Sequence, residues 1–243
     1  MARKPGAGIC VHCLKYDHQR NWDHVFPVSW YPDTTPPNLE KWKIPSCKPC
    51  NDNYGRIEKK FGQILSLCIE PDKPESKGVY NRLRRGFDPR LGKNDKDKKA
   101  RAQERNQIIN DFMYGNQIPK DGIYPGLGER WNRKEEDQIA LTLPKKFVDL
   151  LAVKIVRGIA YIEDGMLINE NYVIEPYAVT EEGAAVFNDA LARYGHSLSK
   201  GLGIKVERAI APEDGISSIY KITIWAEFII YASVSQIVTV RGI

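Results

Sequence analysis

The sequence has no run of apolar residues that approaches the roughly 18 to 20 needed for a helix to cross a membrane. Its first ten residues, MARKPGAGIC, include basic side chains but no apolar stretch behind them, so a secretory signal is not expected. It has no internal repeat, which argues against a solenoid or an array. These absences predict a protein without a membrane span, and a cytoplasmic location is the default expectation.

The charge of the chain is uneven although its net value is small. Apolar residues make up 42% of the 243 residues and charged residues 28%, as in ordinary globular proteins with one large domain or two small ones. The net charge is +5, yet residues 77–105 contain eleven basic and four acidic side chains. The rest of the chain is therefore slightly acidic. Such a basic block is typical either of a solvated connector or of a nucleic-acid contact, and both interpretations stay open.

Four of the five cysteines form two C-x-x-C pairs, Cys10 with Cys13 and Cys47 with Cys50. Without a secretory signal, two such pairs predict a four-thiolate zinc site rather than disulfides. Each short turn can present two soft sulfur ligands to one tetrahedral ion. The fifth cysteine, Cys68, lies in an apolar stretch and is predicted to be a small buried hydrophobe.

A set of polar residues lies between and directly after the cysteine pairs. Residues 22–27 read WDHVFP, Asn38-Leu39 follow, and Asn51 comes directly after Cys50. With the cysteine pairs, these elements resemble the HNH endonuclease family, in which a C-x-x-C pair, an Asp-His-(Ile/Val)-x-Pro strand, an Asn-Leu and a C-x-x-C-(His/Asn) that opens a helix occur in this order. The resemblance covers about residues 8–65. The stretches WYPD and NLEKW are similar to a bacterial, zinc-stabilised subset with Asn as the third motif residue.

The resemblance implies a ββα-metal unit that hydrolyses phosphodiester bonds of DNA. His24 would be the general base, because imidazole titrates near neutral pH. Asp23 and Asn51 would be oxygen ligands of a catalytic Mg²⁺ or Mn²⁺, and Asn38 would hold the hairpin loop. A structural Zn²⁺ at the four cysteines would keep hairpin and helix at the right separation. In a simple strand Asp23 and His24 point to opposite faces, so the family arrangement requires a kinked hairpin.

Each of these residues also has a structural interpretation. Asp23 and His24 alone could form a surface turn, while Asn38 and Asn51 could cap helices. Asn53 is the alternative metal ligand if the helix register differs by two residues. His12 could replace a cysteine ligand, although four thiolates leave it no vacancy. His18 is expected either at the surface or near the cleft, in contact with the site residues, and His196 is expected to be structural.

Basic side chains on and after the helix that begins at the second cysteine pair could follow the phosphate backbone of DNA. The argument rests on their proximity to the motif, and such contacts would position a duplex without reading its sequence. The predicted set is Arg56, Lys59, Lys60, Arg82, Arg84 and Arg85.

The fold is predicted to be α+β, in three parts. A zinc-stabilised ββα-metal unit is expected in residues 1–70, a basic helical connector in 71–134 and a small α+β domain in 135–243. Apolar periodicity predicts helices over 51–68, 94–113, 135–158 and 181–195. Strands are predicted at 160–162, 172–174, 204–210, 218–225, 228–234 and near 237–240.

Two other interpretations compete with an active nuclease. A catalytically silent zinc-knuckle module could bind nucleic acid or a protein, although the intact Asp23, His24 and Asn51 argue against it. Alternatively, the C-terminal domain could be a regulator, a partner platform or a homodimer interface, so that the isolated protein is inactive. Many members of the resembled family act in restriction, phage defence or mobile elements, which raises the expectation of a defence role.

Overall fold

The computed structural model describes residues 4–119, 139–177 and 181–237, and it has a mixed α+β fold. The first elements are β1 (Gly6–Ile9), β2 (Tyr16–His24), β3 (Lys43–Ser46) and α1 (Lys48–Ser66). The middle of the chain forms α2 (Val79–Arg84), α3 (Asp95–Asn110), β4 (Phe112–Tyr114) and β5 (Ile139–Leu141). The remaining elements are α4 (Lys145–Asp164), β6 (Tyr172–Tyr177), α5 (Glu181–Tyr194), β7 (His196–Ser199), β8 (Ile204–Ile210), β9 (Ser218–Ile224) and β10 (Phe228–Gln236).

The amino-terminal unit, defined here as β1–β3 with α1, has the order strand, strand, strand, helix. Its sheet is antiparallel with the order β1-β2-β3, and His24 pairs with Lys43 where the β2–β3 ladder begins. Helix α1 follows β3 almost directly, with Cys47 as its N-cap residue and Pro49 in its first turn. The helix therefore begins at the second cysteine pair, as the sequence predicts.

Helix α1 has one buried face because its apolar residues recur three and four positions apart. Tyr54, Ile57, Phe61, Ile64 and Leu65 are all buried on that face. The face packs against α4 and against α2. This periodicity is the sequence signal that predicts the helix, although the observed helix begins three residues before the predicted start.

Helix α4 lies between the amino-terminal unit and the second sheet. It contacts α1 and β3 on one side and β6 and β10 on the other. A helix covered on two sides needs apolar residues around most of its circumference. Its buried residues are Val148, Leu151, Ala152, Lys154, Ile155, Val156, Gly158, Ile159 and Ala160. One of them, Lys154, is charged, and its surroundings are described below.

The second sheet has five antiparallel strands in the order β6-β10-β9-β8-β7. Successive strand residues point to opposite faces, so the two alternating sets of β9 residues face different helices. Tyr220 and Ile222 are buried in the core that α4 also lines, whereas the Lys221 amine donates to Asn188 Oδ1 of α5 at 2.8 Å. The sheet is therefore covered by α4 on one face and by α5 on the other.

The hydrophobic core is continuous between the amino-terminal unit and this sheet. Trp30 and Phe61 come from the amino-terminal unit and its loop, and Trp225 and Phe228 come from the end of β9 and from β10. These four rings are fully buried and contact one another at centroid distances of 5.3–5.7 Å. The Trp225 indole N–H also donates to the Trp30 carbonyl at 2.7 Å. The division into domains stays a prediction. The hydrophobic core contains residues from both sides of the predicted boundary between 134 and 135.

Several sequence predictions are wrong in detail. The strand predicted at 160–162 does not exist, because those residues continue α4 to Asp164. Of the helix predicted over 135–158, residues 135–138 lie outside the described residues, 139–144 are not helical, and α4 begins at Lys145. The helix predicted over 94–113 ends at Asn110, before β4. Of the strand predicted near 237–240, Ile237 is not in a strand and the rest lies outside the described residues. Among the described helices, none combines the length and the apolar character needed to span a membrane.

Candidate metal centre and active site

The four paired cysteines lie together at the junction of the β1–β2 turn and the start of α1. Their sulfur atoms are all within 4.8 Å of one another, and none forms a disulfide. Tetrahedral zinc with Zn–S bonds of about 2.3 Å requires sulfur–sulfur distances of about 3.8 Å. Cys13 Sγ and Cys47 Sγ are 3.8 Å apart. The cluster could therefore bind a zinc ion with the geometry that the ion prefers.

The electrostatics of the cluster also suit a cation. Burial acts to raise the pKa of the Cys10 thiol, but backbone hydrogen bonds from Cys13, Cys47 and His12 lower it to about 7. One of these donors is the Cys47 N–H, 3.3 Å from Cys10 Sγ. The pKa of Cys50 is raised by burial and by the thiols of its neighbours. A central cation would stabilise the thiolates that crowding otherwise keeps protonated.

Asp23 is buried, with 5% of its surface exposed, and both of its oxygens accept hydrogen bonds. His12 Nε2 lies 2.9 Å from Asp23 Oδ2, and Lys154 Nζ lies 3.0 Å from Asp23 Oδ1. His12 belongs to the first cysteine pair and Lys154 to α4. The carboxylate therefore joins the thiol cluster to a helix of the C-terminal part of the chain.

Lys154 has no exposed side-chain surface, and three oxygens of the amino-terminal unit surround its ammonium group. The ammonium donates to Asp23 Oδ1, to the His24 carbonyl at 2.6 Å and, through a short contact, to Glu58 Oε1. It also lies 5.6 Å from the centre of the Tyr54 ring, a cation–π distance. We call Asp23 Oδ1, Glu58 Oε1 and the His24 carbonyl oxygen the oxygen cage.

The two carboxyl groups of the oxygen cage respond differently to burial. For Asp23, burial raises the pKa, but the His12 hydrogen bond and the Lys154 charge outweigh it, so the pKa is lowered. For Glu58, burial outweighs the attraction of Lys154 and raises the pKa to about 7. Asp23 is therefore the fully ionised partner of Lys154, and Glu58 is the carboxyl group that titrates near neutral pH.

His24 is the last residue of β2 and is half buried. Its pKa is lowered first by burial and further by the charges of Lys154, Lys43 and Lys41, while Asp23 opposes the shift. The imidazole is therefore neutral at neutral pH. A neutral imidazole is the form that can accept a proton from water.

The two predicted asparagines have different surroundings. Asn51 is the fourth residue of α1, so Cys47 and not Asn51 caps the helix. Asn51 Nδ2 lies 3.5 Å from the carbonyl oxygen of Trp22, one residue before Asp23. Asn38 is exposed in the β2–β3 loop, and its side chain makes no hydrogen bond to a described residue that would hold this loop. Its predicted role in fixing the loop therefore has no contact to support it.

The predicted Mg²⁺ or Mn²⁺ pair of Asp23 and Asn51 does not fit an open metal site in this arrangement. Such ions take oxygen ligands and keep positions free for water and a phosphate. Asp23 is buried with both oxygens engaged, and Asn51 approaches β2 through its amide nitrogen. The Lys154 ammonium holds Asp23 toward α4.

Arg82, one of the predicted DNA contacts, instead holds the β2–β3 loop. Its guanidinium donates to the carbonyl oxygens of Ser29 (3.0 Å) and Tyr31 (2.7 Å) and forms a short ion pair with Asp33. A side chain with this many internal partners has few donors left for a phosphate. We therefore interpret Arg82 as a structural residue.

The other predicted DNA contacts lie at the surface. Lys59 is paired with Glu104 of α3 at 2.8 Å. The remaining members are exposed or half buried: Arg56, Lys60, Arg84 and Arg85. Helix α3, which carries much of the basic block, buries only Ile108 and is otherwise open to solvent or half buried. Several basic side chains of this helix are paired with its own acidic ones, Lys98 with Asp95 and Arg101 with Asp97.

Sequence reasoning missed Glu58 and Lys154 as members of the site. Both fall on the apolar stripe of their helix, Glu58 beside Ile57 and Lys154 beside Ile155. A charged residue on such a stripe is a signal that can be read from the sequence, because buried charges need partners. The histidines away from the site, His18 and His196, are exposed. Cys68 is half buried after α1, with its thiol near the Ile64 carbonyl.

Comparison with protein-family models, with curated proteins and with solved structures finds no match to this chain.

Proposed function

We propose that this chain is an HNH-type endonuclease that hydrolyses phosphodiester bonds of DNA with His24 as the general base. The observation that carries the proposal is the arrangement of the motif around one thiol cluster. His24 ends β2, Asn51 lies in the first turns of α1 with its amide 3.5 Å from Trp22 of β2, and the four cysteines join the two elements. These are the elements, in the order, that the resemblance to the HNH family requires.

His24 has the properties that a general base needs. It is half buried, and its lowered pKa keeps the imidazole neutral at neutral pH. A base that takes a proton from the attacking water in phosphodiester hydrolysis must be unprotonated and reachable by that water. Its backbone is held in place on both sides, by strand pairing with Lys43 and by the Lys154 hydrogen bond to its carbonyl. The side chain is left to react while the main chain stays fixed.

The thiol cluster supplies rigidity that this small unit lacks. A three-stranded sheet with one helix has little core of its own, and a four-thiolate zinc site contributes on the order of 10 kcal/mol of folding free energy. Zinc at Cys10, Cys13, Cys47 and Cys50 would fix the β1–β2 turn to the start of α1. The distance between the strand that carries His24 and the helix that carries Asn51 depends on that connection.

The DNA backbone would be held by the basic surface around α1 and α3. The exposed members of the predicted set, Arg56, Arg84 and Arg85, have the charge and the accessibility that phosphate contacts need. Such contacts position a duplex without reading its bases, so we assign no sequence preference to them.

The experiment that tests the proposal is a supercoiled-plasmid assay with the zinc-loaded protein in Mg²⁺, in Mn²⁺ and in EDTA. Wild type should nick or linearise the plasmid in a metal-dependent way. His24→Ala should lose this cleavage while keeping its zinc content and its unfolding midpoint. His18→Ala is the matched control, because His18 is an exposed histidine on the same strand. It should cleave like wild type.

Cleavage that persists in a folded, zinc-loaded His24→Ala protein would remove His24 from the proposed role. The second candidate is a zinc module that binds nucleic acid or a protein without catalysis. It is favoured by the burial of Asp23 and the engagement of both its oxygens. Absence of cleavage under every metal condition, together with salt-dependent DNA binding by the same samples, would replace the nuclease with this module.

A further inference from the structure

The buried ammonium of Lys154 is an unusual feature of the site described above. Removing a charged amine from water costs several kcal/mol, and a buried ion pair is often no more stable than apolar residues in its place. Lys154 nevertheless has no exposed side-chain surface and sits on the apolar stripe of α4. Its neighbours on that stripe, Leu151, Ile155 and Gly158, follow the ordinary pattern of a core helix.

All three oxygens around this ammonium belong to the amino-terminal unit. Asp23 Oδ1 and the His24 carbonyl come from β2, and Glu58 Oε1 comes from α1. Helix α4 contributes only the cation. Two carboxylate oxygens and one carbonyl oxygen that converge on one point are also the donor set that hard divalent cations take. The oxygen cage is therefore a cation site built by one part of the chain and filled by another.

Contacts within the amino-terminal unit also hold the oxygen cage in place. His12 holds the second oxygen of Asp23 at 2.9 Å, and the His12 ring packs on Tyr54 at a centroid distance of 4.6 Å. Because His12 lies between the cysteines of the first pair, the orientation of Asp23 is tied to the thiol cluster. The Asp23 carboxylate is thus held by contacts within the amino-terminal unit as well as by Lys154.

We propose that the oxygen cage of Asp23, Glu58 and the His24 carbonyl is a divalent-cation site in which the Lys154 ammonium is the resident cation. Glu58, not Asn51, is the second side-chain ligand beside Asp23. A divalent ion must displace the Lys154 ammonium from these oxygens, so Lys154 weakens metal binding and, with it, the activity of the wild type. This regulation rests on the proposed nuclease function, whereas the cation site itself does not.

The test uses Mn²⁺ as the probe and the full-length, zinc-loaded protein. Electron paramagnetic resonance measures free Mn²⁺ directly and needs no cleavage reaction. Wild type should bind Mn²⁺ weakly, while Lys154→Met should bind about one Mn²⁺ per chain at least about tenfold more tightly than wild type does. Adding Glu58→Gln to Lys154→Met should weaken this binding again. Lys145→Met is the matched control, because Lys145 lies on the same helix but is exposed and paired with Asp149. It should bind Mn²⁺ like wild type.

Lys154→Met leaves two buried carboxyl groups without their cation, so a second variant is needed in case this one does not fold. Lys154→Gln keeps amide hydrogens that can donate to Asp23 and Glu58, and it should show the same gain of Mn²⁺ binding. Mn²⁺ should also raise the unfolding midpoint of either neutral variant, because a ligand that binds only the folded state stabilises it.

Two results would overturn the proposal. One is a wild-type protein that binds Mn²⁺ as tightly as the Lys154 variants and loses this site in Asp23→Asn. The other is a folded Lys154→Gln or Lys154→Met protein that gains no Mn²⁺ site. Plasmid cleavage is scored separately on the same samples. Variants that bind Mn²⁺ but never cleave would refute the nuclease and leave the cation site intact.

Discussion

At Gly158, helix α4 packs tightly against Val25, the residue that follows the strand carrying the candidate site. A Cβ atom added at Gly158 would lie 2.7 Å from Val25 Cγ2 and 3.1 Å from Val25 Cγ1. Val25 follows His24, is fully buried and has a β-branched side chain with little freedom to move. Gly158 lies one helical turn after Lys154, so the same approach brings Lys154 to the oxygen cage.

The replacement Gly158→Ala sets helix propensity against packing. Replacing glycine with alanine inside a helix stabilises it by about 1 kcal/mol. An extra carbon forced against a rigid neighbour in a packed core costs about 1–3 kcal/mol. The control is Gly55→Ala on α1, where an added Cβ would meet no atom within 4 Å. It receives the same gain from propensity without the clash.

The two variants should therefore differ in the free energy of unfolding by about 1–3 kcal/mol, with Gly55→Ala the more stable. In a chain of this size the corresponding separation in melting temperature is roughly 2–12 °C. Urea unfolding followed by tryptophan fluorescence and by circular dichroism measures both proteins under one condition. Equal stabilisation by the two alanines would mean that α4 does not approach β2 at Val25. The geometry of the oxygen cage would then lose its basis.

Two further predictions concern the site. The pKa of Glu58 is raised from its ordinary value of 4.5 to about 7, mainly by burial, so its contribution to stability is present below about pH 4.5 and is lost as pH rises through 7. Between these pH values the free energy of unfolding of wild type should therefore fall by roughly 3 kcal/mol relative to that of Glu58→Gln. If urea unfolding gives a difference between the two proteins that does not change with pH, Glu58 is solvated. Zinc analysis of the purified protein should find about one ion per chain, and removal of this ion by a strong chelator should lower the melting temperature sharply. Cys47→Ser should lose the zinc while Cys68→Ser retains it, and equal zinc content in the two variants would exclude the four-cysteine site.

The cluster of four cysteines could be predicted from the sequence because short-range spacing determines it. Each C-x-x-C pair fixes two thiols within one turn. Only one other cysteine, Cys68, occurs in the chain, so the two pairs are the natural ligands for each other's metal. The helix after Cys50 was equally readable, since Ile57, Phe61 and Ile64 recur at helical spacing. Local patterns of this kind survive in the fold because they do not depend on distant parts of the chain.

Elements without a burial pattern of their own were the ones that sequence reasoning missed or misread. Strand β7 has a mostly exposed, polar sequence, and among the described strands it pairs with β8 alone, so nothing in its residues distinguishes it from a loop. Residues 160–162 are apolar enough to form a strand, but they complete the buried face of α4. Short apolar runs fit either structure, and tertiary packing decides between them.

The position of Asp23 depends on a residue 131 positions away, so no local pattern could give its partner. Strand alternation predicts that Asp23 and His24 point to opposite faces, and Asp23 is buried whereas His24 is half buried. The resemblance predicts that both reach one cleft. Neither expectation includes the contact between Lys154 of α4 and Asp23, because that contact exists only in the tertiary structure.

The four buried rings of Trp30, Phe61, Trp225 and Phe228 limit how this chain can be rearranged during evolution. Two come from the part that carries the motif and two from the sheet at the other end of the chain. A recombination event that moved the first 70 residues alone into another protein would leave Trp30 and Phe61 facing water. The motif can therefore be inherited only together with the distant strands that cover it, and the two halves must diverge in step.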